Sequence, residues 1–261
     1  MPPARVLSIA GSDSGGGAGI QADLKAFARC GVHGMTAITA VTAQNTVEVS
    51  RVYPLPPDAI VEQVRAVAED IGVDAVKVGM LGSVETIEAV DRALDLLGSA
   101  PVVLDPVMVA ESGARLLDED AVAALRTRLV PRATMVTPNL AEARVLTGAA
   151  EDLPPDDLVR AVHALGSRGA VVTGGHRATA TDLFYDGGEI IEIGGERHPD
   201  GAAHGSGCTH SSVFAAQLAL GHGLEDAARR AKAVASAAVR DGLRDIGAGA
   251  GPVDVFGAPG R

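Results

Sequence analysis

Apolar positions along the 261-residue chain follow two alternating rhythms. Short apolar or β-branched runs predict strands over Arg5–Ala10, Gly34–Thr42, Ala75–Val78, Val102–Leu104, Thr134–Val136 and Ala170–Thr173. The stretches between them repeat their apolar residues every three or four positions. They predict helices over Ile20–Arg29, Asp58–Ile71, Val84–Leu97, Asp118–Leu129, Leu140–Leu146 and Asp156–Leu165. In Asp58–Ile71 the stripe is Ile60, Val61, Val64, Val67 and Ile71, with Pro56-Pro57-Asp58 at its start and Gly72 at its end. Ala180–Tyr185 and Glu189–Ile193 predict a hairpin turned by Asp186-Gly187-Gly188. Two Ala-rich helices, Thr209–Leu220 and Leu224–Leu243, close the chain. Strands alternating with helices predict βαβ units, a mostly parallel sheet and one domain over residues 1–246. The Gly/Pro-rich residues 247–261 are expected to form a loosely held tail.

Such sheets bind ligands beyond the carboxyl ends of their strands, and four segments there carry chemistry. Gly11–Asp23 (GSDSGGGAGIQAD) lets backbone approach a ligand closely, and its amides and the next helix start suit a polar or anionic group. It is not a phosphate-binding Walker loop, because Ile20 stands where Lys is needed. Gly17–Ala22 fits a dinucleotide pattern, and a flexible turn is the plain alternative. Asp105, directly after a buried strand, either holds a metal or polarises a water, or caps the turn before Pro106. Asn139 and Glu142 have capping-box spacing, and oxygen donors here also suit magnesium. In Ala203–Ser212, the residues Gly205, Ser206 and Gly207 present amides at a helix start, an anion hole for charge on a transferred group. Cys208 in that helix field is expected to have a lowered pKa and to act as base or polar contact. Its alternatives are a covalent nucleophile helped by His204 or His210, or simple packing. A zinc cluster of His198, His204, Cys208 and His210 has a spacing that matches no common zinc site.

Composition narrows the classes. With 22 basic against 33 acidic residues, net charge −11, no Trp and four Phe, neither a nucleic-acid footprint nor stacking platforms are visible. No apolar run is long enough to span a bilayer. No leader is apparent, and two cysteines make no disulfide framework, so a cytoplasmic location is expected. Only Lys25, Lys77 and Lys232 are lysines.

Seven segments in order resemble the hydroxymethylpyrimidine/phosphomethylpyrimidine kinase branch of the ribokinase-like superfamily. They are Ala10–Lys25, Thr36–Thr46, Lys77–Leu81, Asp105–Gly113, Thr137–Ala143, Thr173–His176 and His204–Ser212. The resemblance implies a three-layer α/β/α fold with a central, mostly parallel sheet. It implies ATP-dependent phosphorylation of the hydroxymethylpyrimidine to its mono- and then its diphosphate in thiamine biosynthesis, with Mg²⁺ and a homodimer. Gly11, Ala18 and Asp23 are implied near the pyrimidine, Gln44 at its amino edge, and Met80 and Val107 as apolar walls. Asp105, Asn139, Thr173 and Gly175 are implied at the nucleotide phosphates, Glu142 and Asp105 at the metal, and Gly205, Ser206, Gly207 and Cys208 as the catalytic anion hole. Two positions depart from the family's habit. Thr173 and Glu111 stand where Lys is common, and Arg115 or Arg177 is the expected replacement charge. Pyridoxal or pyridoxine kinase is the rival within the superfamily. An oxidoreductase using Gly17–Ala22 and a non-catalytic sensor are rivals outside it.

Overall fold

In the computed structural model, which describes residues 2–174 and 180–257, neighbouring residues of each strand face opposite helix layers. The strands are β1 (Arg5–Asp13), β2 (His33–Gln44), β3 (Val49–Pro54), β4 (Ala75–Val78), β5 (Val102–Leu104), β6 (Met135–Val136), β7 (Ala170–Val172), β8 (Asp182–Tyr185) and β9 (Ile191–Ile193). They form one sheet in the order β3-β2-β1-β4-β5-β6-β7-β8-β9. The run from β2 through β7 is parallel, while β3, β8 and β9 pair antiparallel.

Leu7, Ile9, Val76, Val78, Leu104, Val136 and Val172 belong to one apolar core. It is covered by α2 (Pro57–Asp70), α3 (Val84–Leu94), α4 (Ala121–Ala124), α5 (Leu140–Thr147) and α6 (Pro155–His163). Val6, Ala75, Val103, Met135 and Val171 face the other core, under α1 (Gly19–Arg29), α7 (Ser206–Ala219) and α8 (Leu224–Arg240). The expectation of three α/β/α layers around a mostly parallel sheet holds.

Three local expectations change. The edge strand β3 was not foreseen, because its residues are mostly exposed and leave no alternation of apolar and polar positions. The helix expected over Asp118–Leu129 is α-helical only at Ala121–Ala124 and widens into a π-type turn at Leu125–Leu129. Pro131 follows with no N–H to continue the ladder, and the Thr127 hydroxyl donates to the Ala123 carbonyl at 2.8 Å. The tail, over its described residues, is not loose. The Val253 amide donates to the His204 carbonyl (3.1 Å), the Leu243 amide to the Pro252 carbonyl (2.8 Å), and Val253 and Val255 are buried against Ala238.

Removing residues 247–261 therefore uncovers two valines and frees the segment before α7. We expect a loss of about 3 kcal/mol, read as a lower urea midpoint; an unchanged midpoint would refute the docking.

Candidate active site

Beyond the carboxyl ends of β1, β4, β5 and β6 lies a cavity of about 460 Å³. Of the implied site residues, Gly11, Ala18, Gln44, Met80 and Val107 line one set of walls. Asp105, Asn139, Glu142, Thr173 and Gly205 through Cys208 line the rest. Asp23 does not line it. Gly175 and Arg177 lie outside the described residues. Arg115 is an exposed side chain beside Glu119 and does not line the cavity, so it supplies no replacement charge; Glu111 does line it.

The floor is built on one charge. Lys77 occupies a strand position that points under α1 and α7, and it is fully buried. Its Nζ lies 3.0 and 3.1 Å from the two oxygens of Asp23 and 4.0 Å from Asp105 Oδ2. Asp23 also accepts the hydroxyls of Ser8 (2.6 Å) and Ser212 (2.7 Å), and Asp105 accepts that of Ser211 (2.9 Å). Asp23, implied near the pyrimidine, has its carboxylate engaged by Lys77, Ser8 and Ser212 beneath the cavity. Burial opposes a charge on Lys77, yet Asp23 and Asp105 hold its pKa above the usual lysine value.

The glycine-rich segment also differs from expectation. Its amides do not face outward to an anion. Asp13 accepts those of Gly15 (2.7 Å), Gly17 (2.9 Å) and Ala18 (2.8 Å), and its Oδ2 lies 3.2 Å from His204 Nε2. Burial would raise the Asp13 carboxyl, but His204 and these amides hold it below its ordinary value. The loop is a folded-in wall rather than a phosphate cradle, which removes the reason for the dinucleotide reading. It packs directly on the start of α7. A Cβ on Gly17 would lie 2.1 Å from the His204 ring, and one on Gly205 (φ 84°) would lie 1.8 Å from the Gly17 carbonyl.

At that start no side chain caps α7. The Ser206 amide donates to the Ala203 carbonyl (3.0 Å), so of the amides expected to form an anion hole this one is already engaged. The expected lowering of the Cys208 pKa is overturned. Burial pushes the thiol up to about 12, against the pull of Lys77 and with Asp105 and Asp23 adding to the rise. Burial thus favours the neutral thiol of Cys208 over the thiolate. His204 is engaged by Asp13, and among the described residues no three His, Cys, Asp or Glu side chains gather as a metal site, so the zinc cluster is set aside.

The capping-box reading of Asn139 and Glu142 holds. The Glu142 amide donates to Asn139 Oδ1 (3.0 Å), and the Asn139 amide donates to Glu142 Oε2 (2.9 Å). The same box aims Glu142 at the cavity. Burial, and then the charge of Asp105, push Glu142 up to about 8. Burial likewise raises Asp105 in spite of Lys77 and Ser211. Two carboxylates that disfavour each other's charge, with oxygen donors only, fit a divalent cation completed by water and phosphate.

Sequence reasoning missed a second charged group on the cavity wall. Asp182 Oδ1 accepts Lys232 Nζ (2.7 Å) and the Gly174 amide (2.9 Å), and its Oδ2 lies 3.4 Å from His210 Nε2. In spite of burial, His210, Lys232 and Gly174 hold Asp182 below its ordinary pKa. A usable signal was the scarcity of lysine. Lys77 and Lys232 are buried beside carboxylates, and Lys25 Nζ donates to the Gly16 carbonyl (2.7 Å), so all three lysines serve this site.

Fold and site together define a small-molecule phosphotransferase of the ribokinase-like class. A phosphomethylpyrimidine kinase family model matches residues 13–254, and the chain belongs to that family. A hydroxymethylpyrimidine/phosphomethylpyrimidine kinase of Streptomyces coelicolor is 48% identical over 259 residues, covering 97% of this chain and 95% of the relative. A thiamine biosynthesis bifunctional protein of Geobacter sulfurreducens is 44% identical over 97% of this chain, which spans 52% of that protein. Among solved structures, a Staphylococcus aureus pyridoxal kinase bound to ADP aligns with a TM-score of 0.89 and 34% identity, over 98% of this chain and 94% of that one.

Two outcomes follow from the geometry. Asp23→Ala strands Lys77 in a buried site and should cost about 3–5 kcal/mol in urea unfolding, whereas Arg65→Ala, at an exposed pair with Glu69, should cost under about 1. Equal costs would dissolve the claim about the floor. Its raised pKa leaves Cys208 as thiol at pH 8. Iodoacetamide should therefore modify it far more slowly than free cysteine at pH 8; matching rates would contradict the neutral thiol.

Proposed function

We propose that the protein transfers the γ-phosphoryl group of ATP to the hydroxymethyl oxygen of 4-amino-5-hydroxymethyl-2-methylpyrimidine. A second transfer onto the monophosphate then gives the diphosphate, in thiamine biosynthesis. The observation that carries this reading is one cavity joining two chemistries. Gln44, Met80 and Val107 offer an amide and apolar walls of the size of a small heteroaromatic ring. Asp105, Asn139, Glu142 and the amino end of α7 offer a place for phosphates.

In the first transfer the bond from the γ-phosphorus to its bridging oxygen breaks. A bond from phosphorus to the hydroxymethyl oxygen forms, and the hydroxyl proton leaves with ADP as the other product. The transition state is loose, so alignment and charge stabilisation outweigh strong base catalysis. That suits a neutral Cys208. Its amide and that of Gly207 stabilise the transferring group, and the thiol positions the acceptor hydroxyl. Asp105 and Glu142 would hold Mg²⁺, which when bound neutralises phosphate charge. The single Thr42 hydroxyl proton has the Ser12 carbonyl (2.9 Å) as well as Gln44 Oε1 (3.1 Å) in reach, so the Gln44 carboxamide is left to pair with an amino group beside a ring nitrogen. Thr173 and, from its place in the sequence, Gly175 border the nucleotide phosphates.

A second substrate, pyridoxal, is favoured by the match to a pyridoxal kinase along 98% of this chain. Partners are the pyrimidine and ATP, with no nucleic acid and no membrane. No helix among the described residues is long and apolar enough to cross a membrane. The reading includes a cytoplasmic homodimer, supported by Val41, Val47 and Tyr53 left exposed on the β2–β3 ribbon.

Incubation with Mg-ATP and the hydroxymethylpyrimidine should give both phosphates by mass spectrometry. Phosphorylation of pyridoxal alone would overturn the pyrimidine reading. Cys208→Ala should lower kcat by about tenfold with nucleotide binding retained, short of the roughly 10²–10⁴ that loss of a general base costs. A loss in that larger range would restore Cys208 as the base. Glu142→Gln should raise the Mg²⁺ concentration for half-maximal rate several-fold; an unchanged requirement would remove Glu142 from the metal.

A further inference from the structure

His210 stands one turn inside α7, is 4% exposed, and lines the same cavity. Other imidazole and ammonium groups on these walls are committed to protein. Lys77 is held by Asp23, Lys232 by Asp182, His204 by Asp13, and His198 Nε2 lies 3.0 Å from the Ser236 hydroxyl. His210 is different, because neither ring nitrogen has an aligned hydrogen bond. Its Nε2 comes within 3.4 Å of Asp182 Oδ2, while the other oxygen of Asp182 is fixed by Lys232 and the Gly174 amide. Nε2 thus has only this long contact and Nδ1 has no hydrogen bond; a buried ring so poorly satisfied is costly, and in a ligand cavity a ligand can complete it.

The neighbours say which ligand. Gly174 follows β7, Asp182 opens β8 and accepts the Gly174 amide, and Thr173 forms a bridge with Asn139. This wall adjoins the phosphate end rather than the apolar walls of Gln44 and Met80. Thr173 there carries no charge. We propose that His210 is a nucleotide-binding residue that donates a ring N–H to a phosphate oxygen of the nucleotide, with Asp182 steering the ring and Lys232 steering Asp182. This rests on the kinase reading for the identity of the anion and deepens it by assigning the donor.

The test uses the full chain, with Mg-ADP as the probe. By calorimetry, His210→Leu should weaken Mg-ADP binding roughly tenfold, the size of one lost charge-assisted hydrogen bond. In steady state, the KM for ATP should rise by a similar factor, with kcat and the pyrimidine KM within about twofold. His210→Gln, which keeps an N–H donor, should restore most of the affinity. Should His210→Leu fail to fold, ¹⁵N-histidine spectra of the wild type, assigned with His210→Gln, decide: the ring nitrogens should shift on addition of Mg-ADP. Unchanged Mg-ADP affinity in His210→Leu, no recovery in His210→Gln, or unmoved ring nitrogens would overturn the inference. If the wild type makes no pyrimidine phosphate yet His210→Leu still weakens Mg-ADP binding, the pyrimidine reading falls and His210 keeps its role.

Discussion

The Lys77 ammonium, buried between β4 and the pair α1 and α7, holds the site together from below. Asp23 comes from α1, Ser212 and Ser211 from α7, Ser8 from β1 and Asp105 from the loop after β5, and all join the same buried cluster. The two chain segments that wall the cavity, the glycine-rich loop and the His204–Cys208 stretch, lead directly into α1 and α7. An apolar contact could bury the same area, but it would not set the register of two helices on the sheet. A charge with directional hydrogen bonds from several elements can. The same charges also shape the chemistry above. Asp105 is drawn towards Lys77 and in turn raises Glu142, while burial keeps Cys208 protonated.

Above the floor, Asp13 plays a similar part for backbone. By taking three loop amides and meeting His204, it turns a run of glycines into a fixed wall. The docked C-terminal residues hold His204 from the other side through its backbone. Gly17 and Gly205 are needed here for close approach, because backbone of one loop occupies the space a side chain of the other would fill.

Much of this was legible along the chain. The core strands Ala75–Val78 and Val102–Leu104 are continuous apolar runs because both of their faces are covered. Asp105, Asn139 and Glu142 stand at strand ends, where such sheets bind ligands, and the structure brings them to one cavity. The exposed strand β3 left little hydrophobic pattern to read. The helix after Asp118 was overestimated because its apolar period continues up to a proline that breaks the ladder. Asp182, Lys232 and His210 were not read as a group, because they lie on three elements that only the antiparallel end of the sheet brings together.

By itself the sequence determined the alternation of strands and helices, the loops that would face a ligand and the family resemblance. These depend on local periodicity, turn chemistry and motif order, all carried by nearby residues. Only the tertiary structure decided what each polar group is for. It made Asp23 a counter-ion to Lys77, turned the glycine amides inward to Asp13, and raised the Cys208 thiol instead of lowering it. The physical reason is that hydrogen-bond satisfaction and desolvation are set by residues distant in sequence, such as Lys77 for Asp23 and His204 for Asp13.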